Sequence, residues 1–462
     1  MNDHLRLRQW AIGALVGLVL SGPLLAVATE PAPPGMQQAL SQQVERAGES
    51  LPVAAFYQLN GGQPVWQDEA RVVALVQGLN SLLDDGLTPE DYRATTLLEE
   101  FRASREWDAA AQARFDVDAT RALLLALEHL SSGKVNPRQV EPGWDASRPE
   151  RSYALPRVLS AVERHDVESA LAMARPSSPE YAQLRQALST YRHLAEQGSV
   201  PYLPGREVSL RPGDRDPDVV TLRQRLTLWG ASGLLGADSS AYPMIGVQGA
   251  QRDQQLFDDT LVQAVKHFQR RHQLQEDGVV GERTRLALNM PVASRVDQLR
   301  VNLERVRWIR PSLQREPRVW VDIAGYRLHY LRPDGQQWDA RVVVGTPRRE
   351  TPVIHSTISH LTINPSWTIP PTIMREDVLP RVREDIGYLA QQNIQVLSPS
   401  GEALDAQSID WQRPGGVMLR QVAGSRNPLG RVVVRFPNND MIYLHDTPAR
   451  GLFQRDQRAL SS

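Results

Sequence analysis

At 462 residues the chain exceeds one typical domain, and at roughly 150 residues per domain it has room for about three. Its 52 basic and 53 acidic residues leave a net charge of -1, which excludes the broad positive field that would draw it to nucleic acid or an anionic membrane. It contains no cysteine, so no disulfide ties it together and packing must hold it.

At the N-terminus, Arg6 and Arg8 precede an apolar stretch from Trp10 to Leu20, followed by Pro23 and the small-x-small triplet Ala26-Val27-Ala28. This is the layout of a secretory signal peptide over residues 1–28. An uncleaved anchor is the alternative, because Trp10 to Ala28 approaches the roughly 20 residues needed to span a bilayer. Ser21, Gly22 and Pro23 interrupt the run and favour cleavage after Ala28. Both readings put the body of the protein outside the cytoplasm.

A helical unit is predicted over 40–205. Val72, Leu75, Val76, Leu79, Leu82 and Leu83 recur at three- and four-residue spacing, with Gly86 as C-cap. A new helix is expected at Thr88-Pro89-Glu90-Asp91, with Thr88 as N-cap and Pro89 at the first helical position. Phe115, Ala119, Leu123, Leu127 and Leu130 form a further apolar stripe, and the helical pattern resumes from Leu155 to Gln197. Nothing in this unit suggests chemistry, so it reads as an all-α scaffold.

Pro201, Pro204, Gly205, Pro212, Gly213 and Pro217 mark a linker into a second unit, 210–291. Val219, Leu222, Leu226 and Trp229 share one helical face ended by Gly230. Asp258 or Asp259 caps a helix carrying Leu261, Val265 and Phe268, and an Asp277-Gly278 turn leads to a third helix, Glu282 to Leu288. By spacing alone this is a three-helix bundle. The stretches Val220 to Leu226, Ala264 to Gln269 and Asp277 to Gly281 resemble the peptidoglycan-binding domain of cell-wall enzymes, and that resemblance supplies the ligand.

An amphipathic helix from Ser294 to Trp308, with Val296, Leu299, Leu303 and Val306 on one face, precedes a change of period. Val319, Val321 and Ile323 alternate, Gly325 turns the chain, and Leu328 to Leu331 return as a strand. Arg341 to Val344, Val353 to Ile363, Gly416 to Val422 and Arg431 to Phe436 continue the β pattern. Pro370-Pro371 and Met374 to Gln392 interrupt it as a turn and helix that cap the sheet. The third unit, 316–462, is therefore mainly β, and the whole chain is multidomain α+β.

Near its end an apolar strand, Met441 to Leu444, leads into His445. Imidazole suits general-base work because its unperturbed pKa, about 6.5, lies near neutrality. A lone histidine at a strand end is more often structural. The surrounding segments decide for function: Ile442-Tyr443-Leu444-His445-Asp446-Thr447-Pro448, Gly451-Leu452-Phe453 and Arg458-Ala459-Leu460-Ser461-Ser462 closely resemble the catalytic motif of L,D-transpeptidases with the YkuD fold, specifically the YcbB-type enzymes of Gram-negative bacteria. Ile363 to Pro370 and Gly424 to Gly430 resemble that family's active-site-face segments, and the order of scaffold, peptidoglycan-binding module and capped β domain fits as well.

The resemblance implies a cysteine nucleophile that attacks a tetrapeptide stem, releases D-alanine and passes the acyl group to a neighbouring stem, making a 3→3 crosslink. No metal or other cofactor is implied. The partners are peptidoglycan stems and cell-wall synthases, in the periplasm. Carried onto this chain, His445 is the general base, Tyr443 shapes the pocket, and Asp446 either orients the site or makes a plain turn. Ser461 and Ser462 lead into the oxyanion hole, and Trp367 belongs either to the substrate groove or to a core. In the family a Gly-Cys pair follows such serines, and then an arginine-bearing strand. The 462 residues hold neither, so the expectation is a C-terminally truncated catalytic domain, inactive as given. A non-catalytic wall-binding protein is the competing reading. A zinc peptidase is disfavoured, since His355 and His360 stand apart from any His-Glu-x-x-His set.

Overall fold

The structure, a computed structural model, describes residues 34–48, 51–104, 106–141, 144, 151–196, 198, 200–231, 253–309 and 317–461. The signal-peptide segment, the side chain of Trp229 and Ser462 lie outside the described residues.

The first helical unit is built from α1 (Met36–Arg46), α2 (Val53–Leu59), α3 (Glu69–Ser81), α4 (Leu97–Ser104), α5 (Ala109–Ser132), α6 (Pro137–Val140), α7 (Leu155–Glu163), α8 (Val167–Ala174) and α9 (Pro179–Glu196). α5 is its axis. Asp108 caps it by accepting from the Ala111 N–H at 2.9 Å, and its Phe115, Ala119, Leu123 and Leu127 are buried against Phe56, Trp66, Leu75 and Leu79. The helix expected at Thr88 is only a 3-10 turn, Pro89–Tyr92. Arg93 takes a left-handed φ of 59° and stops it, while the Thr88 hydroxyl accepts from Arg300 rather than capping.

The second unit packs α10 (Pro217–Ala231), α11 (Asp259–Arg271) and α12 (Glu282–Asn289) around Leu222, Leu226, Leu261, Val265, Phe268 and Leu288. Asp258 is the cap of α11, accepting from the Leu261 N–H at 2.9 Å. The Gln269 side chain locks the following turn: its amide donates to Asp277 Oδ1 and its oxygen accepts from the Gly278 N–H, each at 2.9 Å.

α13 (Val292–Arg307) then returns to the first unit, laying Val296, Leu299, Leu303 and Val306 on Tyr181, Leu184 and Leu188 of α9. Its last residue, Arg307, is 1% exposed. The guanidinium donates to the Asp85 carbonyl, to the Tyr181 hydroxyl at 3.1 and 2.9 Å, and to Glu304 at 3.0 Å. Arg175 pairs with the fully buried Asp85 carboxylate at 3.0 Å, completing a buried polar joint.

The C-terminal unit is sheet-rich. β1 (Arg318–Asp322), β2 (Arg327–Leu331) and β3 (Gln337–Arg341) form an antiparallel meander. A second sheet orders β10 (Leu444–His445), β9 (Val432–Arg435) and β5 (His360–Ile363), all antiparallel. β11 (Ala459–Ser461) runs parallel to β4 (Val344–Gly345). A third sheet, β6 (Trp367–Thr368), β8 (Met418–Gln421) and β7 (Ile394–Leu397), carries the inserted helices α14 (Pro371–Ile373), α15 (Leu379–Glu384) and α16 (Gly387–Gln391), with a π turn at Met374–Val378. Val378, Leu379, Val382 and Leu389 seal them onto Ile369 and Leu419.

Two strands are shorter than their patterns predict. From Val353 to Ser359 the chain runs beside β9 without a ladder: the Ser356 hydroxyl donates to the Pro437 carbonyl, and regular pairing begins at His360. Met441 has φ 54°, and the Asn438 side chain takes both the N–H and the C=O of Ile442. The strand before His445 therefore reduces to Leu444–His445.

Candidate active site

His445 ends β10 opposite Val433, where one ladder pair fixes its backbone. Its ring is exposed, and Nδ1 lies 2.6 Å from the Asp446 carbonyl oxygen. A carbonyl can only accept, so Nδ1 carries the proton and Nε2 presents its lone pair outward. That is the tautomer a general base needs. His445 and Asp446 border an open, mostly apolar cavity of about 330 Å³ between the β1–β2–β3 meander and the β10–β9–β5 sheet, walled by Tyr330 and Trp338 on one side and Val432 and Leu444 on the other.

Asp446 is held from below. Its carboxylate accepts from the Arg431 N–H at 3.1 Å and faces Arg450 at 3.6 Å; the Arg431 and Thr447 backbone bonds first, and the Arg450 charge after them, keep the carboxyl below its ordinary pKa. Tyr443 lies under the Arg435 guanidinium, 4.2 Å from ring centroid to Cζ, so its ring is fixed by a cation–π contact. Ser461 sits in β11, its carbonyl accepting from the Thr346 N–H at 3.1 Å. Trp367 lies in the third sheet, half-buried against the apolar cluster under the inserted helices. Thus His445, Tyr443 and Asp446 share one corner, while Ser461 and Trp367 stand on two other strand systems.

Several residues that hold these strand systems in place carry no obvious sequence signature. Arg458, 4% exposed, donates to the carbonyls of Val342 (3.1 Å), Arg455 (2.6 Å) and Tyr326 (3.0 Å), anchoring the segment that leads to Ser461 against β4. Asn427 is buried between two loops: its amide donates to the Pro365 carbonyl at 2.9 Å and the Val422 carbonyl at 3.2 Å, and its oxygen accepts from the Leu429 N–H at 2.9 Å. It joins the two segments, around Ile363 to Pro370 and Gly424 to Gly430, that resemble active-site-face segments of L,D-transpeptidases. Gly430, at φ +63°, leaves 2.6 Å between an added Cβ and the Asp446 Cβ, so no side chain fits there. A glycine in such a loop is a readable hint. A buried arginine is not.

Comparison with known proteins places this geometry. Residues 316–462 match the L,D-transpeptidase catalytic domain (YkuD), residues 215–288 a putative peptidoglycan binding domain, and residues 52–188 a scaffold domain. The chain therefore carries an L,D-transpeptidase catalytic domain of the YkuD type behind a peptidoglycan-binding domain. A protein of Haemophilus influenzae (strain ATCC 51907 / DSM 11121 / KW20 / Rd) named "Putative L,D-transpeptidase" is 39% identical over 168 residues, covering 36% of this chain and 34% of the relative. The match thus spans about a third of that relative's length.

Proposed function

We propose that the C-terminal unit is built for 3→3 crosslinking of peptidoglycan stems in the periplasm, with His445 as general base. The observation that carries this reading is the orientation of His445, whose Nδ1–H is committed to the Asp446 carbonyl at 2.6 Å, leaving Nε2 free to take a proton. In this chemistry a cysteine thiol gives its proton to Nε2 and the thiolate attacks the carbonyl of the stem's third residue. The C–N bond to D-alanine breaks, the imidazolium protonates the leaving amine, and a thioester remains. The side-chain amine of a second stem then attacks, expelling the thiolate and forming the crosslink. Tyr443 and Asp446 steady the corner that holds the base, Ser461 and Ser462 lead toward the oxyanion donors, and Trp367 borders the groove under the inserted helices.

These 462 residues include no cysteine, so we assign them the base without the thiol and expect no turnover from them alone. Purified chain incubated with tetrapeptide muropeptides should give no crosslinked dimer by mass spectrometry. Extending it after Ser462 with Gly-Cys and an arginine-bearing strand should give 3→3 dimers, and His445→Ala in that extended chain should abolish them. Dimers from the unextended chain, or full activity of the His445→Ala variant, would defeat the assignment.

The match of residues 215–288 to a putative peptidoglycan binding domain supports one second reading, a wall-binding protein that docks through them, with cell-wall synthases as partners. Sacculus pull-down with that module deleted discriminates, since unchanged binding rules the module out as the anchor.

A further inference from the structure

The first helical unit contains a cavity of about 470 Å³, within the range of small-ligand sites, that no part of the transpeptidase chemistry uses. It opens between the Pro89–Tyr92 turn and α5, with Leu51, Ala122 and Leu125 as an apolar floor and Tyr92 and His129 closing one wall, the Tyr92 hydroxyl 2.9 Å from His129 Nδ1.

The rim charges are nearly all spent. Asp91 pairs with Lys134 at 2.6 Å, Asp118 with Arg93 at 3.2 Å, and Glu128 with Arg151 at 2.9 Å. Arg121 is the exception: it lines the cavity, is exposed, and has no hydrogen-bond or ion-pair partner among the described residues. A planar guanidinium beside an apolar floor is matched by a carboxylate, which it takes through two parallel N–H bonds, on a molecule with a small apolar group next to it. An anion without an apolar part would leave the floor unused, and a cation would meet acids already paired.

We infer that this cavity binds a peptide α-carboxylate, with Arg121 receiving the carboxylate and Leu51, Ala122 and Leu125 receiving a small apolar C-terminal side chain. The choice of stem peptides ending in D-alanine as its source rests on the peptidoglycan reading above; the carboxylate chemistry does not. In that setting the scaffold holds a donor or product stem away from the catalytic corner, a task distinct from the wall docking proposed for the second unit.

Methyl NMR of the full chain tests this, with the Leu51, Ala122 and Leu125 methyls as local reporters. A free stem tetrapeptide should move them saturably. Its C-terminal amide, and separately the Arg121→Ala variant, should each weaken binding by about fivefold, the upper end of the range for one exposed ion pair, while Arg157→Ala, outside the cavity, leaves it unchanged. Arg121-dependent shifts with free D-alanine at the same concentration would support the site and make the released amino acid its source. Unmoved scaffold methyls overturn the proposal, as do shifts indifferent to Arg121→Ala and to amidation. Movement confined to methyls of residues 215–288 would overturn it while leaving the peptidoglycan reading intact.

Discussion

Replacing Gly430 by alanine should damage the corner around His445, because the half-buried turn it forms lies directly against Asp446. Two costs combine. Alanine at φ +63° pays about 1–2 kcal/mol for the left-handed region. Its Cβ would also meet the Asp446 Cβ at 2.6 Å and the Asp446 carbonyl carbon at 2.7 Å, atoms that cannot swing away without moving the backbone. Forcing such overlap typically costs about 1–3 kcal/mol, giving a total of about 2–5 kcal/mol. Gly401 provides the control, because it has φ +89° but no atom within 4 Å of an added Cβ, so Gly401→Ala should lose only the backbone part. Urea unfolding of the two variants compares them directly. A second readout follows from Asp446: pushed off the Arg431 N–H, its carboxyl should titrate upward toward the ordinary carboxylate value in carbon-detected NMR. Equal losses in the two variants, or a Gly430→Ala loss below about 1 kcal/mol, would refute the close-approach reasoning.

Arg307→Ala should destabilise the α9–α13 joint by about 3–5 kcal/mol, because it strips a buried network from Asp85, Tyr181 and Glu304; hydrogen exchange in α13 measures it, and unaltered protection would argue against a structural role. Burial lowers the His272 pKa to about 4, with its Nδ1–H donated to the Phe268 carbonyl at 2.8 Å. The folded module therefore resists protonation, so its stability is full above about pH 6.5 and falls as pH drops from there toward 4; His272→Gln should flatten that slope in thermal melts taken across the window. Asn427→Ala removes the bond that ties its loop to Pro365 and the two that brace the loop itself at Val422 and Leu429, and should cost about 2–4 kcal/mol, with the Pro365 and Leu429 segments gaining exchange; a neutral result would mean water replaces the amide.

Much of the fold is legible where residues repeat with a period. The Phe115, Ala119, Leu123 and Leu127 stripe predicts α5, and Asp258 announces α11, because burial and capping act over three or four residues. Legibility fails where one residue's conformation or a distant partner decides. Arg93 and Met441 adopt left-handed φ and cut short a helix and a strand whose compositions point the other way. The site divides similarly. His445, Tyr443 and Asp446 are contiguous and are found together, whereas Arg458 and Asn427 act through carbonyls many residues away and leave no local trace. The antiparallel pairing of α13 with α9 was equally hidden, since an apolar stripe names a buried face without naming what buries it.

That pairing has a mechanical consequence. The chain leaves α9 at Glu196, forms the 215–288 module, and comes back at Val292 onto the same helix, with the end of α13 against the start of α9. The module is thus joined at both its ends to one end of a helix pair, with Tyr191 of α9 packed on its core and Arg283 paired with Asp456 of the C-terminal unit at 2.7 Å. Tension applied to it divides between both helices and pulls them in the same direction, so they are not slid past each other. From α13 the load continues toward β1, and from Arg307 it passes to Asp85, so a tug on the module reaches the helical body and the catalytic unit together.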